Sequence, residues 1–316
     1  MHGEREEAHK KVTQDWLDHG YIERPTPVTE EGKFTGEWQS ENSGKGENFR
    51  TKNRNYNCEW LSQTFVVPKK SVDFPWRGVV DMRGPNSQSR RVNYPLPRIK
   101  DLLVKQGGKL IFSILDLKQA FHQQPLHPDS RPITCCYTPL GIFQWKVNVM
   151  GLANASQQFQ QMMDDRLESV KDIATPYIDD ILIGTWVAPG EDLIAAHYRD
   201  ILRVMEVLKK EKFVCDFKKC KFFVKEVEFC GHILGGGVRR PAPGKLRAIE
   251  KWELPQTITA LRGFLGFTNY YGSYIQNYAE LAAPLQEKLK GPREKVKKVV
   301  KRRLHGYPVI LRHLSA

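Results

Sequence analysis

Tyr177-Ile-Asp179-Asp180-Ile-Leu-Ile183 sets two adjacent carboxylates in an otherwise apolar run that follows Pro176. A β-branched run of this kind, bounded by a turn former, reads as a hairpin with its acids at the tip. Upstream, Ile111-Phe-Ser-Ile-Leu115 reads as a strand closed by a third acid, Asp116. An unpaired buried carboxylate is costly and neighbouring carboxylates repel, so acids in these places call for cations or dense hydrogen bonding. Mg²⁺ takes one or two carboxylates together with substrate phosphates, and two such ions can clamp the oxygens of an in-line phosphoryl displacement. For an isolated Tyr-x-Asp-Asp a plain turn is the better reading. The apolar flanks argue against it here.

Around these acids the chain mixes strand and helix signals without a regular β-α-β alternation, which points to an α+β fold rather than a doubly wound sheet. Leu61–Pro68 and Gly78–Met82 read as strands, and Ile99–Val104 as a short helix closed at Gly107-Gly108. Asn154–Val170 is amphipathic, with Phe159, Met162, Met163 and Leu167 on one face. A long helix over Asp192–Glu211 has Ile194, Tyr198, Ile201, Val204, Met205 and Leu208 as its expected inner stripe. Phe222–Phe229 and His232–Leu234 read as two strands around Gly231, and Pro243–Lys290 as helical. Four successive segments are expected: a mobile polar lead-in over 1–57 holding a short helix at Val12–Gly20, a main body over 58–235, a helical domain over 236–290 and a basic tail over 291–316.

The 316 residues carry 49 Lys+Arg against 36 Asp+Glu, a net +13. Such a balance favours a polyanionic partner, nucleic acid first and an anionic membrane second. Much of the excess is local, since Lys288–Arg312 holds ten basic residues and one acid, Glu294. No run approaches the length of a membrane span, and the charged start is unlike a secretory signal. The six cysteines have no disulfide-framework spacing, so an intracellular, reduced protein is expected, with nothing to separate nucleus from cytoplasmic particle. Cys215, Cys220, Cys230 and His232 form only a loose zinc set, because Phe222, Phe223, Val227 and Phe229 among them suit buried thiols in strands.

Seven segments then occur in an order that resembles the reverse transcriptase of gypsy-type LTR retrotransposons and their retroviral relatives, over about Cys58 to Lys290. Trp76-Arg77-Gly-Val-Val-Asp81-Met-Arg83-Gly-Pro-Asn86 is similar to its fingers segment, and Tyr94-Pro-Leu-Pro-Arg98 to the stretch entering the palm. Phe112-Ser-Ile-Leu-Asp116-Leu-Lys-Gln-Ala-Phe121-His-Gln, Met150-Gly151-Leu-Ala-Asn-Ala-Ser-Gln-Gln-Phe159 and Tyr177-Ile-Asp179-Asp180 resemble three catalytic motifs. Phe229-Cys-Gly231-His232 is similar to the primer grip, and Phe264-Leu-Gly-Phe-Thr-Asn-Tyr-Tyr271 with Ala282-Ala-Pro-Leu285 to the thumb.

The resemblance implies a right-hand polymerase with fingers, an antiparallel palm sheet and a thumb. It implies an RNA-directed DNA polymerase taking an RNA or DNA template with primer, dNTPs and two Mg²⁺ ions, with Mn²⁺ as a substitute. Asp116, Asp179 and Asp180, with the Leu117 carbonyl, are then the metal ligands, and Lys219 the candidate proton donor to pyrophosphate. Arg77 and Lys70 (or its neighbour Lys69), the Gln119 and Ala120 amides, Phe121 and Gly151 fall at nucleotide positions. Phe121 is the implied gate, since an aromatic ring there leaves no room for a ribose 2′-hydroxyl. Arg83, Asn86, Tyr177, Phe229, Gly231, Gly263 and Phe267 fall at template–primer positions. Each has a plain reading as well: Lys69-Lys70 and the Lys218–Lys221 run as solvated turns, Phe121 and Phe267 as core.

Two departures stand out. Val149 occupies a position where the family has Pro, and Ser156 another. Beyond Lys290 the resemblance ends in a basic stretch without RNase H acids. These features support a rival reading, a nucleic-acid-binding remnant that has lost turnover.

Overall fold

A computed structural model describes residues 2–25, 58, 60–69, 74–245, 252 and 255–289. Lys70, positions 26–57 of the lead-in expected over 1–57, positions 246–251, 253–254 and 290 of the expected helical domain, and the basic tail over 291–316 lie outside the described residues. The chain divides into two compact units, each assembled from separated segments: Met1–Pro97, Ile114–Ile183 and Tyr198–Lys221 in one, and Arg98–Ser113, Gly184–His197 and Phe222–Ala316 in the other.

In the first unit helix α1 (His2–Asp18) lies against a five-stranded sheet. Its strands are β1 (Ile22–Glu23), β2 (Ser62–Pro68), β3 (Trp76–Val80), β5 (Cys136–Thr138) and β6 (Gly141–Trp145), ordered β1-β6-β5-β2-β3. Neighbours pair antiparallel except β2 and β5, which run parallel with Ser62 opposite Cys136. Ala8, Val12 and Trp16 recur every four residues, so one face of α1 is apolar and buried. Trp16 meets Trp145 edge-on at 4.8 Å, within a core that includes Ile22, Val80, Met82 and Phe143.

A four-stranded sheet follows, ordered β7-β8-β4-β9, with β4 at Ile111–Asp116, β7 at Ala174–Tyr177, β8 at Asp180–Thr185 and β9 at Lys221–Val224. Helices α2 (Arg83–Gln88) and α4 (Ala155–Arg166) belong to the first unit, and α3 (Ile99–Lys105) to the second. The amphipathic reading of α4 fits its burial: Phe159, Met163 and Leu167 are all closed to solvent. In the second unit β10 (Glu226–Phe229), β11 (His232–Gly235) and β12 (Val238–Pro241) form an antiparallel sheet. Helices α6 (Ile258–Tyr270) and α7 (Tyr278–Glu287) enclose Leu261, Phe264, Leu265, Tyr271, Ile275, Ala282 and Leu285. The Thr257 hydroxyl caps α6 by accepting from the Ala260 N–H at 3.1 Å.

Three local expectations need correction. The helix expected at 12–20 begins at His2 instead. The apolar face that seats it includes Ala8 and Thr13, small residues that a search for large hydrophobes passes over. Between Phe222 and Leu234 there are three strands rather than two, because the ladder breaks at Lys225. On helix α5 (Leu193–Lys210) Ile201, Val204 and Leu208 are buried as expected, yet Ile194 and Tyr198 are 55% and 54% exposed. The inner face turns instead toward His197, whose ring nitrogens lie 2.8 Å from Ser113 Oγ and 2.7 Å from Thr185 Oγ1. A satisfied buried histidine is invisible to a pattern that counts only apolar residues.

Candidate active site

The end of β4 and the β7–β8 turn are tied by one backbone bond: the Leu117 N–H donates to the Asp179 carbonyl at 3.1 Å. Because β8 and β4 are also neighbours in the sheet, Asp116 and Asp179 come to the same end of adjoining strands. Tyr177 pairs with Asp180 across the hairpin, leaving Ile178 and Asp179 as its two-residue turn. Ile178 sits at φ 55°, a left-handed conformation that a β-branched residue adopts only under strain.

Buried Gln160 on α4 holds this turn. Its Oε1 accepts from the Ile178 N–H at 2.7 Å, and its Nε2 donates to Asp164 Oδ1 at 2.9 Å and to the Pro176 carbonyl at 3.2 Å. Tyr94 donates its hydroxyl to the other oxygen of Asp164 at 2.6 Å. That bond pushes the Tyr94 phenol up to about 12. Sequence reasoning missed Gln160 and Asp164. The available signal was a glutamine on the buried side of α4, one residue from Phe159 and three from Met163.

Charge in the cluster is unbalanced. Burial, and then the charges of Asp179 and Asp116, raise the Asp180 carboxyl to about 6. Asp116 is paired with Lys219 at 3.0 Å, and the same ammonium lies 3.5 Å from Asp216. These two carboxylates raise the proton affinity of Lys219. The Asp116 carbonyl accepts from the Asp216 N–H at 2.8 Å, and its own N–H points to Cys220 Sγ at 3.4 Å. Among the described residues no group of three or more His, Cys, Asp or Glu side chains is placed to hold a metal by itself. The donor chemistry nevertheless fits Mg²⁺, which needs only one or two carboxylates when substrate phosphates complete its shell. Burial beside two other carboxylates makes the Asp180 position one that favours added positive charge.

Asp116 and Asp179 open onto a cleft of about 670 Å³. Arg77, Leu117, Gln119, Ala120, Phe121 and Lys219 line the same cleft, as does Lys69. Of the residues expected to meet a nucleotide, Arg77, Gln119, Ala120 and Phe121, with Lys69 as the alternative to Lys70, thus share one cavity with two of the three acids. Gln119 has φ 49° and starts the 3₁₀ turn Ala120–Gln123, and the Phe121 ring packs on Phe159 with centroids 5.4 Å apart. His122, also on the wall, lies 4.6 Å from the Tyr21 ring and 5.4 Å from that of Trp145. Burial, helped by the charge of His19, lowers it to about 4, so the imidazole is neutral. Lys11, Asp15 and Trp16 of α1 complete the wall, a contribution the sequence did not disclose.

Other expected residues are held differently. Gly151 is absent from the cleft lining, though Met150 contributes to it. The Asn86 amide is committed to the loop beyond, donating to the Gly151 carbonyl at 2.8 Å and accepting from the Ala153 N–H at 2.7 Å. Arg83 forms a close ion pair with Asp81 at 2.6 Å, which holds the Asp81 carboxyl below its ordinary value. In the second unit Gly263 is exposed on α6 with nothing within 4 Å of the position a Cβ would take. Phe267 packs on Trp252 and Tyr271 at 5.3 and 5.6 Å, the packing role among its two readings. Phe229 is buried, and Gly231 occupies the β10–β11 turn with φ 75°.

Comparison with known proteins adds independent findings. Residues 67–234 match the family "Reverse transcriptase (RNA-dependent DNA polymerase)". The chain is 33% identical over 239 residues to the retrovirus-related Pol polyprotein from transposon opus of Drosophila melanogaster, covering 74% of this chain and 23% of that one. It is 32% identical over 248 residues to the corresponding polyprotein of transposon gypsy from the same organism, covering 77% and 23%. The enzymatic polyprotein of Cauliflower mosaic virus (strain NY8153) is 32% identical over 217 residues, covering 68% and 31%. The chain therefore spans about a quarter of the length of the fruit-fly relatives. Among solved structures, foamy viral protease-reverse transcriptase in complex with dsDNA aligns with a TM-score of 0.73 at 19% identity, covering 98% of this chain and 57% of that one. The same viral protein in complex with an RNA/DNA hybrid gives 0.71 at 19%, covering 98% and 37%. At that identity the likeness establishes a common fold, the right-hand α+β architecture.

Proposed function

The chain belongs to the reverse transcriptase (RNA-dependent DNA polymerase) family, and from this premise we propose that it is an RNA-directed DNA polymerase extending a primer with dNTPs. The observation that carries the reading is the Leu117–Asp179 backbone bond, which sets two acids on the wall of the cleft that also holds Arg77 and Phe121. Asp116, Asp179 and Asp180, with the Leu117 carbonyl, would hold two Mg²⁺ ions. Bound there, the ions supply Lewis acidity to the primer hydroxyl and to the triphosphate oxygens.

The chain's own residues do the remaining work. Arg77 and Lys69 bring positive charge to the triphosphate, and the Gln119–Ala120 backbone lies beside it. Phe121, backed by Phe159, restricts the sugar. As the primer 3′-hydroxyl gives its proton to solvent and its oxygen bonds to the α-phosphorus, the bond from that phosphorus to the oxygen shared with the β-phosphate breaks and pyrophosphate leaves. Lys219, kept protonated by Asp116 and Asp216, is the group in reach of the acids that can deliver a proton to it. The same ammonium forms an ion pair with Asp116 at 3.0 Å. Template and primer would be met by Arg83, Tyr177, Gly231 and Gly263, while buried Phe229, and Phe267 packed on Trp252 and Tyr271, support those positions from behind and Asn86 acts through the Gly151–Ala153 loop it clamps. Among the described residues no helix is long and apolar enough to cross a membrane.

Primer extension on an RNA template with Mg²⁺ tests the proposal. Asp179→Asn and Asp180→Asn should each abolish synthesis while leaving template–primer binding in place. Salt-sensitive binding by the wild-type chain with no nucleotide incorporated would support the inactive remnant instead.

A further inference from the structure

The β10–β11 turn is built from two residues, Cys230 and Gly231, flanked by the facing pair Phe229 and His232. Both have positive φ, 49° and 75°, the arrangement of a tight hairpin that favours glycine and strains cysteine. What holds it lies 40 residues further on. The Tyr270 hydroxyl donates to the Cys230 carbonyl at 2.5 Å, and the Tyr271 hydroxyl to the Gly231 carbonyl at 3.3 Å. Tyr274 Oη lies 3.0 Å from His232 Nδ1.

The His232 ring is buried among the same three tyrosines, with centroids 5.1, 5.4 and 5.5 Å from Tyr270, Tyr271 and Tyr274. The fit leaves no slack, since a Cβ at Gly231 would come within 2.9 Å of Tyr271 Oη. Three hydroxyls from the end of α6 and the turn after it therefore bind one hairpin tip. Apolar packing alone gives no reason for them, because phenylalanine would fill the same volume. The hydroxyls orient two peptide units that strain would otherwise release.

We propose that Tyr270, Tyr271 and Tyr274, acting with His232, are positioning residues for the primer terminus: they fix the Cys230-Gly231 turn to the end of α6, so that hairpin and helix move as one body. The proposal rests on the polymerase reading and on the hairpin meeting the primer. Its content is that primer placement is set by the C-terminal end of α6 and not by the hairpin alone.

The test is the double variant Tyr270→Phe/Tyr271→Phe in the full chain, beside Tyr278→Phe. Tyr278 also uses its hydroxyl, on Thr268 at 2.9 Å and the Leu265 carbonyl at 3.3 Å, but within the helical core. Single-nucleotide extension of a primed RNA template is measured together with hydrogen exchange of the 226–241 amides. The double variant should raise KM for template–primer about tenfold, as expected for two lost hydrogen bonds, with kcat within twofold and faster hairpin exchange. Tyr278→Phe should change none of these. An unaltered KM or unaltered exchange in the double variant, or an equal rise in KM with Tyr278→Phe, overturns the proposal while the polymerase reading stands. Wild-type protein that binds template–primer but extends nothing overturns the polymerase reading, and the primer role with it.

Discussion

Replacing Gln160 with leucine should disable the acidic turn without unfolding the chain. The side chain is buried and makes three hydrogen bonds, of which the 2.7 Å bond from the Ile178 N–H matters most. Ile178 is held left-handed, a conformation that costs about 1–2 kcal/mol for an L-residue with a Cβ. The bond to Gln160 offsets that strain. A buried donor left without its acceptor costs about 1–3 kcal/mol, so Gln160→Leu should lose about 2–3 kcal/mol in urea melts. With its anchor gone, the turn relaxes and Asp179 moves with it. A displacement of about 1 Å in a reacting group is worth about 10²-fold in rate, so kcat for primer extension should fall by about that factor while affinity for template–primer holds. Ile178→Gly on top of Gln160→Leu supplies a residue at ease in the left-handed region and should recover much of kcat. A Gln160→Leu protein with kcat within threefold of wild type, or a deficit that Ile178→Gly leaves untouched, would refute the reasoning.

Gly78 on β3 has no room for a side chain, since a methyl there would strike the Trp16 ring and lie 2.5 Å from Val12 Cγ1. Gly78→Ala should cost about 1–3 kcal/mol by chemical denaturation, and Trp16→Leu in the same chain should return part of it; simple additivity of the two changes would show that α1 is not seated as described. His122 has a folded pKa of about 4 against about 6.5 unfolded, so only the unfolded chain gains a proton as pH falls through that interval. Stability is therefore intact above about 6.5 and declines toward about 4, by at most about 3 kcal/mol, and His122→Phe should flatten this part of the profile; an unchanged slope would mean another group is responsible. Phe121→Ala should weaken discrimination against ribonucleotides by about tenfold or more in single-turnover incorporation, and retained selectivity would assign the gate to a different residue.

The strand ending at Asp116, the hairpin with its acids at the tip and the apolar face of α4 were all legible in the chain, because each depends on neighbours within one element. The same local logic failed where a polar residue was buried. Gln160, His122 and His197 break an apolar pattern, and only their partners explain them: Ile178, the Tyr21 and Trp145 rings, and Ser113 with Thr185. Lys219 illustrates the same limit, since a lysine-rich run reads as solvated until its 3.0 Å contact with Asp116 is known.

Sequence alone thus determined which acids this protein carries, which strand and turn present them and which family pattern they follow, because covalent order and side-chain period fix those. Tertiary structure decided what holds them: a glutamine under the turn, an ammonium on Asp116, an N-terminal helix along the cleft and tyrosines on a hairpin 40 residues away. Hydrogen bonds and charge pairs act over a few ångströms of space irrespective of chain separation, so no periodicity in the sequence records them.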